Sequence, residues 1–330
     1  MRSSLIIPKR EILFSPMLST FGGGSARGFN PGGGGGPAVG EYLFETTGTH
    51  SFVVPQGVLT ACFLIIGGGG TGGYNTGYGG GNGGDLFYIN DVEMNSGETW
   101  TIKVASGNPS QFNTQATGSP SEAYIGAFQI GASSGISFGN NPSGFTQNGT
   151  YNRNTSGRAN GSLAYNSGGR SGPTSGGGSI SAGGAGAAGY SSNGGDGGSN
   201  GGSWLNPTDG SGGGGAGGGG SNQGTINGAG GGGVGVYGEG SSGTAGSNGV
   251  GAGSPTGGGG GSNGGNGGNG ASNSTGIGGE YGGGGGSPRN ETSSSSYGQS
   301  GAVRILWGEG RAFPSTNVDL ASSDGNQTIV

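Results

Sequence analysis

One cysteine, one histidine and two lysines in 330 residues leave this chain short of the side chains that carry most protein chemistry. With Cys62 alone, no intrachain disulfide can form, and its place in an apolar run predicts a small buried hydrophobe. A lone His50 offers no histidine pair for a metal. No motif marks a nucleophile or an orienting acid beside it, so a space-filling role on a strand is expected. Lys9 and Lys103 follow Pro8 and Ile102, which excludes the Gly-Lys-Ser/Thr phosphate loop. Spacings of the G-x-G-x-x-G kind occur throughout, and that abundance empties them of meaning. No run of eighteen apolar residues is present, so no membrane insertion is expected. The stretch Leu5-Ile-Ile7 is too short for a secretory leader. A net charge of −5 with scattered arginines gives no basic footprint for nucleic acid. No cofactor and no metal are expected.

Carboxylates are the remaining route to chemistry. Asp85, Asp91, Glu93 and Glu98 could supply a pair for glycan cleavage, with Asp91 and Glu93 on one face if their strand continues. Surface acids flanking turns are the plainer reading, and the chain is expected not to be an enzyme.

What the sequence has in abundance is glycine, 97 residues, of which 59 lie between positions 161 and 300. Proline keeps no Gly-X-Y register, so collagen is excluded. In Asn263-Gly-Gly-Asn266-Gly-Gly-Asn269 a polar residue returns every third position, and Asn193-Gly-Gly-Asp196-Gly-Gly-Ser199 repeats the spacing. A threefold helix of the polyproline II type would line those side chains along one edge and leave two edges as bare backbone. Such a helix has no internal hydrogen bonds, so its N–H and C=O groups must bond laterally to other helices. Only glycine is expected to allow that approach, and Gly265 and Gly268 are expected to reject a branched side chain. Each lateral bond contributes about 0.5–1.5 kcal/mol, against about 1–2 kcal/mol to fix one residue's backbone. A pre-aligning scaffold must decide so close a balance.

The apolar residues supply that scaffold. Leu, Ile, Val and Phe total 50, but only 11 of them fall between Ser133 and Ser300. One modest core is expected, and not two. Glu41–Glu45 and His50–Val54 read as strands joined by a Thr-Thr-Gly-Thr turn, and Leu59–Ile66 as a strand buried on both faces. Asp85–Ile89, Trp100–Val104, Tyr124–Ile130 and Gly301–Trp307 complete the set, with turns at Pro55-Gln-Gly57 and Asn95-Ser-Gly97. No helical period of useful length appears. The expected fold class is all-β, a β-sandwich with an inserted polyglycine II helix lattice. Its divisions are an N-terminal docking arm at 1–37 and a first sandwich part at 38–132 with a glycine excursion at 67–84. The glycine insertion at 133–300, a closing strand at 301–307 and a C-terminal arm at 308–330 follow.

Phe52-Val-Val-Pro55, Leu64-Ile-Ile-Gly-Gly-Gly-Gly70, Gly97-Glu-Thr-Trp-Thr-Ile-Lys-Val104 and the closing Gly301-Ala-Val-Arg-Ile305 together resemble the glycine-rich domains of bacteriophage virion proteins. The ending from Gly301 to Asn317 is similar to a tail shared by structural proteins of marine cyanophages. The layout also resembles the glycine-rich extracellular domain of the anaplastic lymphoma kinase receptor family. That domain is a tumour-necrosis-factor-like (jelly-roll) sandwich with inserted polyglycine helices. Phage tail-tip adhesins of another lineage likewise use a polyglycine sandwich.

What the resemblance implies is a virion structural protein, a tail-fibre or tail-tip component exposed on the particle and presenting host-binding loops. Partners would be other virion proteins and a host surface glycan or protein, with a homotrimer implied by the sandwich type. An architectural decoration or baseplate protein and a glycan-degrading spike are the alternatives. Among the lattice aromatics Tyr165, Tyr190, Trp204, Tyr237, Tyr281 and Tyr297, the candidate receptor contacts are Tyr190, Trp204, Tyr237 and Tyr281. They either bind a ligand or cap the array. The candidate assembly arm carries Ile6, Ile7, Ile12, Phe14 and Phe21, apolar groups with no core of their own.

Overall fold

The computed structural model describes residues 39–73, 79–107, 116–137, 153–172, 181–201, 203–222, 226–250, 253–272, 276–288 and 297–315. Among them there are strands and extended runs and no helix. The strands are β1 (Gly40–Phe44), β2 (Gly48–Val53), β3 (Thr60–Ile66), β4 (Leu86–Glu93), β5 (Thr99–Val104), β6 (Ala116–Thr117) and β7 (Ser121–Ile125). After them come β8 (Phe128–Ala132), β9 (Ile136–Ser137), β10 (Leu163–Asn166), β11 (Ser199–Gly201), β12 (Ser203–Leu205) and β13 (Ala302–Trp307).

Two antiparallel sheets make the sandwich, one in the order β1-β13-β3-β4-β10 and one in the order β2-β5-β7-β8. The Thr-Thr-Gly-Thr link does not close a hairpin. It carries the chain from one sheet to the other, with Gly48 at φ 130°. The single strand expected over Tyr124–Ile130 is two strands, folded back at Gly126 with φ 54°. β4 runs on to Glu93, past Asp91 at φ 52°, opposite a register shift between Ala61 and Phe63. β10 was not expected, because Leu-Ala-Tyr-Asn is too short to show alternation.

Between the sheets lie Phe44, Phe52, Phe63, Ile65, Ile89, Trp100, Ile102, Ile130 and Val303. The Trp100 ring sits 5.2 Å from Phe63 and 5.5 Å from Phe128. Alternate residues of β3 face away from this core, and they too are buried, as its continuous apolar run predicts. They belong to a second cluster, which corrects the expectation of a single core. Cys62, Leu64, Ile66, Leu86, Tyr88 and Leu306 pack there against Ala187, Ala188, Tyr190, Val234 and Val236 of the glycine region. Burying one large apolar side chain is worth roughly 1.5–3 kcal/mol, so this outer face anchors the lattice. The start of the expected C-terminal arm also belongs to the fold. Phe313 is buried in the second cluster, its backbone N–H donating to Asn90 at 2.9 Å while Asn90 donates to its carbonyl at 2.8 Å.

The glycine region is a hydrogen-bonded lattice of extended runs, and its bonds recur every third residue. In the run 183–188, Gly183 and Gly186 donate to Gly198 and Gly195. Gly184 and Ala187 donate to Ala229 and Gly232, and Ala185 and Ala188 to Gly81 and Gly84. Three edges therefore bond three neighbours, the signature of three residues per turn. The carbonyls of residues 182–187 accept from three more: Gly169 and Gly172, Gly215 and Gly218, Gly284 and Ser287. Six neighbours enclose this helix. The run 228–234 is enclosed in the same way, donating to Ser287, Gly219 and Gly268 and accepting from Gly276, Gly184 and Gly258 on its six sides. Alanine is tolerated within the lattice, since Ala185, Ala216 and Ala229 are fully buried there, so the requirement for glycine is not absolute.

Candidate functional site

Chain direction sorts the turns of this lattice into two groups. Runs leave the sandwich directly from β3 into 67–73, from β8 into 133–136 and from β10 into 167–172, and return at 79–84 into β4 and 297–301 into β13. The end where they join the strands is the near end. At the far end Ser181 bridges Ser221, Ser221 bridges Gly249, and Asn227 donates to Ala271 at 3.3 Å. Gly228 donates to Ser287 and Gly270 to Pro255 at the same end, and the hairpin β11–β12 lies there as well. A seven-residue run at about 3.1 Å per residue separates the two ends by roughly 20 Å.

Polar residues at every third position seal the edges of the array. Asn266 and Asn269 accept the backbone N–H groups of Gly260 and Gly257 at 2.8 and 2.9 Å. Asn193 and Asp196 do the same for Ser167 and Arg170 at 3.0 and 2.7 Å, and Asn82 for Ser171 at 2.9 Å. The spacing that revealed the threefold helix thus has a chemical purpose. A side-chain oxygen stands in for the missing neighbour at each of these backbone donors.

The candidate receptor contacts do not form one exposed set. Tyr190 is wholly buried at the near end, its hydroxyl donating to Gly235 at 2.9 Å and accepting from Gly238 at 3.0 Å. It is not a surface residue, because its ring fills the space between Tyr88 and Phe313. Tyr237 is half-buried above the Arg304 guanidinium, 4.8 Å away, and half-buried Tyr281 donates to Glu45. Burial is the leading cause that raises the Tyr281 hydroxyl above the ordinary tyrosine range. These three aromatics join lattice to sheet. Trp204 is on β12 at the far end, and its side chain is outside the described residues. Val250, Ile277 and Tyr297 are exposed at that end and join it as contact candidates. Ile6, Ile7, Ile12, Phe14 and Phe21 also lie outside the described residues.

The carboxylates are mostly engaged. Asp85 is not a surface acid, since it is buried and accepts from Tyr165 at 2.5 Å and from the Gly168 N–H at 3.0 Å. Glu98 takes both terminal nitrogens of Arg158 at 2.8 and 2.9 Å, which hold its carboxyl down to about 2. Glu93 accepts from Asn160 at 2.7 Å, and Asp91 is exposed beside it in sequence. Among the described residues no three His, Cys, Asp or Glu side chains gather closely enough to hold a metal, and no helix could cross a membrane. His50 packs on Phe44 and contacts the Thr46 carbonyl at 2.7 Å. Cys62 is buried, and desolvation raises its thiol to about 11.

Sequence reasoning missed a buried ionic triad. Glu41 Oε2 accepts from Arg304 at 2.6 Å and from Arg311 at 2.5 Å. Arg304 also donates to the Val236 carbonyl at 2.9 Å, tying β13 to a near-end turn. Its signal was a lone arginine inside the apolar strand Ala-Val-Arg-Ile. No protein-family model matches this chain, and no curated protein shows significant similarity to it.

Proposed function

We propose that this chain is a non-enzymatic structural protein of a tailed-phage virion, a tail-fibre or tail-tip component that holds its far-end turns toward the host surface. The observation that carries the reading is the gathering of successive turns at one end of a six-neighbour lattice. The chain enters at the opposite pole, where Gly40 pairs with Trp307. Backbone bonds hold such a frame without disulfides or many charges, which suits a particle outside a cell. Turns at the far end can change without disturbing the runs behind them. Host glycan or protein would meet Trp204, Val250, Ile277 and Tyr297, and residues 1–37 would join other virion proteins. Threefold assembly rests on the resemblance alone, and sedimentation of the purified protein tests it.

A second reading, an architectural decoration or baseplate protein, is favoured by the absorption of Tyr190, Tyr237 and Tyr281 into packing. Glycan cleavage would fall to Asp91 and Glu93, and release of reducing sugar by the intact protein is its test. Immunogold labelling of purified particles with antibody against residues 161–300 separates the first two readings. Label at the tail tip is expected. Label over the head supports the architectural part, and unlabelled particles overturn both.

A further inference from the structure

At the pole where the chain enters, three large apolar side chains stand exposed: Val39 at 53 %, Val53 at 58 % and Leu59 at 67 %. Leu59 lines an open depression of about 500 Å³ together with Asp91, Trp307, Glu309 and Arg311. A second one of about 460 Å³ adjoins it and shares Leu59 and Thr60, with Glu93 and Met94 on its wall. Within the first depression Arg311 already spends its guanidinium on Glu41 and the Gly40 carbonyl. Asp91 and Glu309 leave the surface acidic and its floor apolar.

The chain holds a segment of complementary chemistry. Residues 1–38 carry Arg2, Lys9, Arg10 and Arg27 against Glu11 alone, a net of +3 that leaves −8 on the remainder of a chain whose total is −5. Lys9 and Arg10 lie between two apolar groups, Leu5-Ile-Ile7 and Ile12-Leu-Phe14. This segment leads into Val39, which borders the depression: a methyl placed on Gly308 would lie 2.9 Å from the Val39 side chain.

We propose that Leu5–Phe14 folds back onto this depression of its own chain in the free subunit, with Ile12 and Phe14 beside Leu59 and with Lys9 and Arg10 facing Asp91 and Glu309. Twenty-four residues separate Phe14 from Val39, and a linker of that length and glycine content reaches roughly 25–30 Å, enough to return to the rim. A linker of that length holds the segment at an effective concentration in the millimolar range, which favours its own chain over a second copy. Docking covers apolar surface that would otherwise drive association. Assembly then exchanges this internal contact for one with a neighbouring virion protein. The inference rests on residues 1–37 being an assembly arm and is independent of what the far end binds. The fold-back is read in the free subunit, so an unlabelled particle would remove the exchange with a virion protein and leave the fold-back to its own test.

Disulfide trapping in the full-length chain tests it. Cys62 can remain, since it is buried and its thiol stays protonated at neutral pH. The Ile12→Cys, Leu59→Cys variant is expected to close an intrachain disulfide at least about tenfold faster than Ile12→Cys combined with Leu163→Cys at an exposed site on β10. Adding Asp91→Lys and Glu309→Lys is expected to slow the closure severalfold at low salt, with less effect at high salt. Equal rates at the two sites overturn the proposal. A disulfide-linked dimer in place of the intrachain product overturns it as well, making a second copy the occupant. Closure indifferent to the charge reversals removes the electrostatic pairing.

Discussion

Arg304 on the last strand and Glu41 on the first meet at 2.6 Å with both side chains almost entirely out of water. Arg311 shares the same carboxylate oxygen, so one glutamate compensates two buried guanidinium groups. Removing that carboxylate strands both charges. Glu41→Ala is expected to cost about 3–5 kcal/mol of stability in urea unfolding. A loss below about 1 kcal/mol would mean that the charges find water.

Within the lattice, position decides which glycines are irreplaceable. A Cβ on Gly231 would lie 2.0 Å from the Ala185 carbonyl oxygen and 2.2 Å from its carbon. On Gly268 the nearest atom would be 3.2 Å away, and on Gly265 2.7 Å, because their run lies at an exposed edge. Gly265 and Gly268, singled out by the sequence repeat, are therefore not the strictest positions. Gly231→Val is expected to open the glycine region to protease at least about tenfold faster, whereas Gly268→Val stays close to the parent, as surface substitutions usually do. Equal cleavage of both variants would contradict the packing.

The contrast shows what the sequence could and could not reveal. Asn266 and Asn269 betrayed the threefold helix because a cap must recur with the helical period, but the same recurrence marks an edge and not a centre. Tyr190 could not be placed from its neighbours, since Gly189 and Ser191 look alike whether a run faces water or a sheet. β3 was legible as a strand buried on both faces from its unbroken apolar run, and β13 as a strand despite Arg304 within it. The second cluster was not, because four of its thirteen buried members, Ala187, Ala188, Val234 and Val236, are scattered through glycine. Turns were readable at Gly57 and Gly97, both at φ 82°, where proline or asparagine announced them. Gly126 had no such company.

Acid should loosen one specific contact. The bonds from Arg158, with Asn95 adding to them, hold Glu98 down to about 2, against 4.5 ordinarily. A carboxyl lowered on folding stabilises the protein fully above the unfolded value. That contribution fades as pH falls from about 4.5 toward 2. Arg158→Gln is expected to lower stability at pH 7 and to flatten its decline over that window in thermal melts. A variant with an undiminished acid transition would place the sensitivity elsewhere.

Tyr190→Phe keeps the ring and removes only the hydroxyl. The Gly235 carbonyl and the Gly238 N–H then lose their buried partner. An expected loss of about 1–3 kcal/mol follows, measured by chemical unfolding. A stability unchanged within a few tenths of a kcal/mol would mean that both groups reach water once the hydroxyl is gone.

Amide hydrogen exchange on the full-length chain tests the lattice most directly, because the amides inside its enclosed runs are protected only by lateral bonds. Gly183–Ala188 and Gly228–Gly233 are expected to exchange as slowly as the β3 amides, since both runs are enclosed on six sides. Complete exchange of those two runs at the earliest time point, with β3 still protected, would contradict the lattice and with it the frame on which the far-end turns are presented.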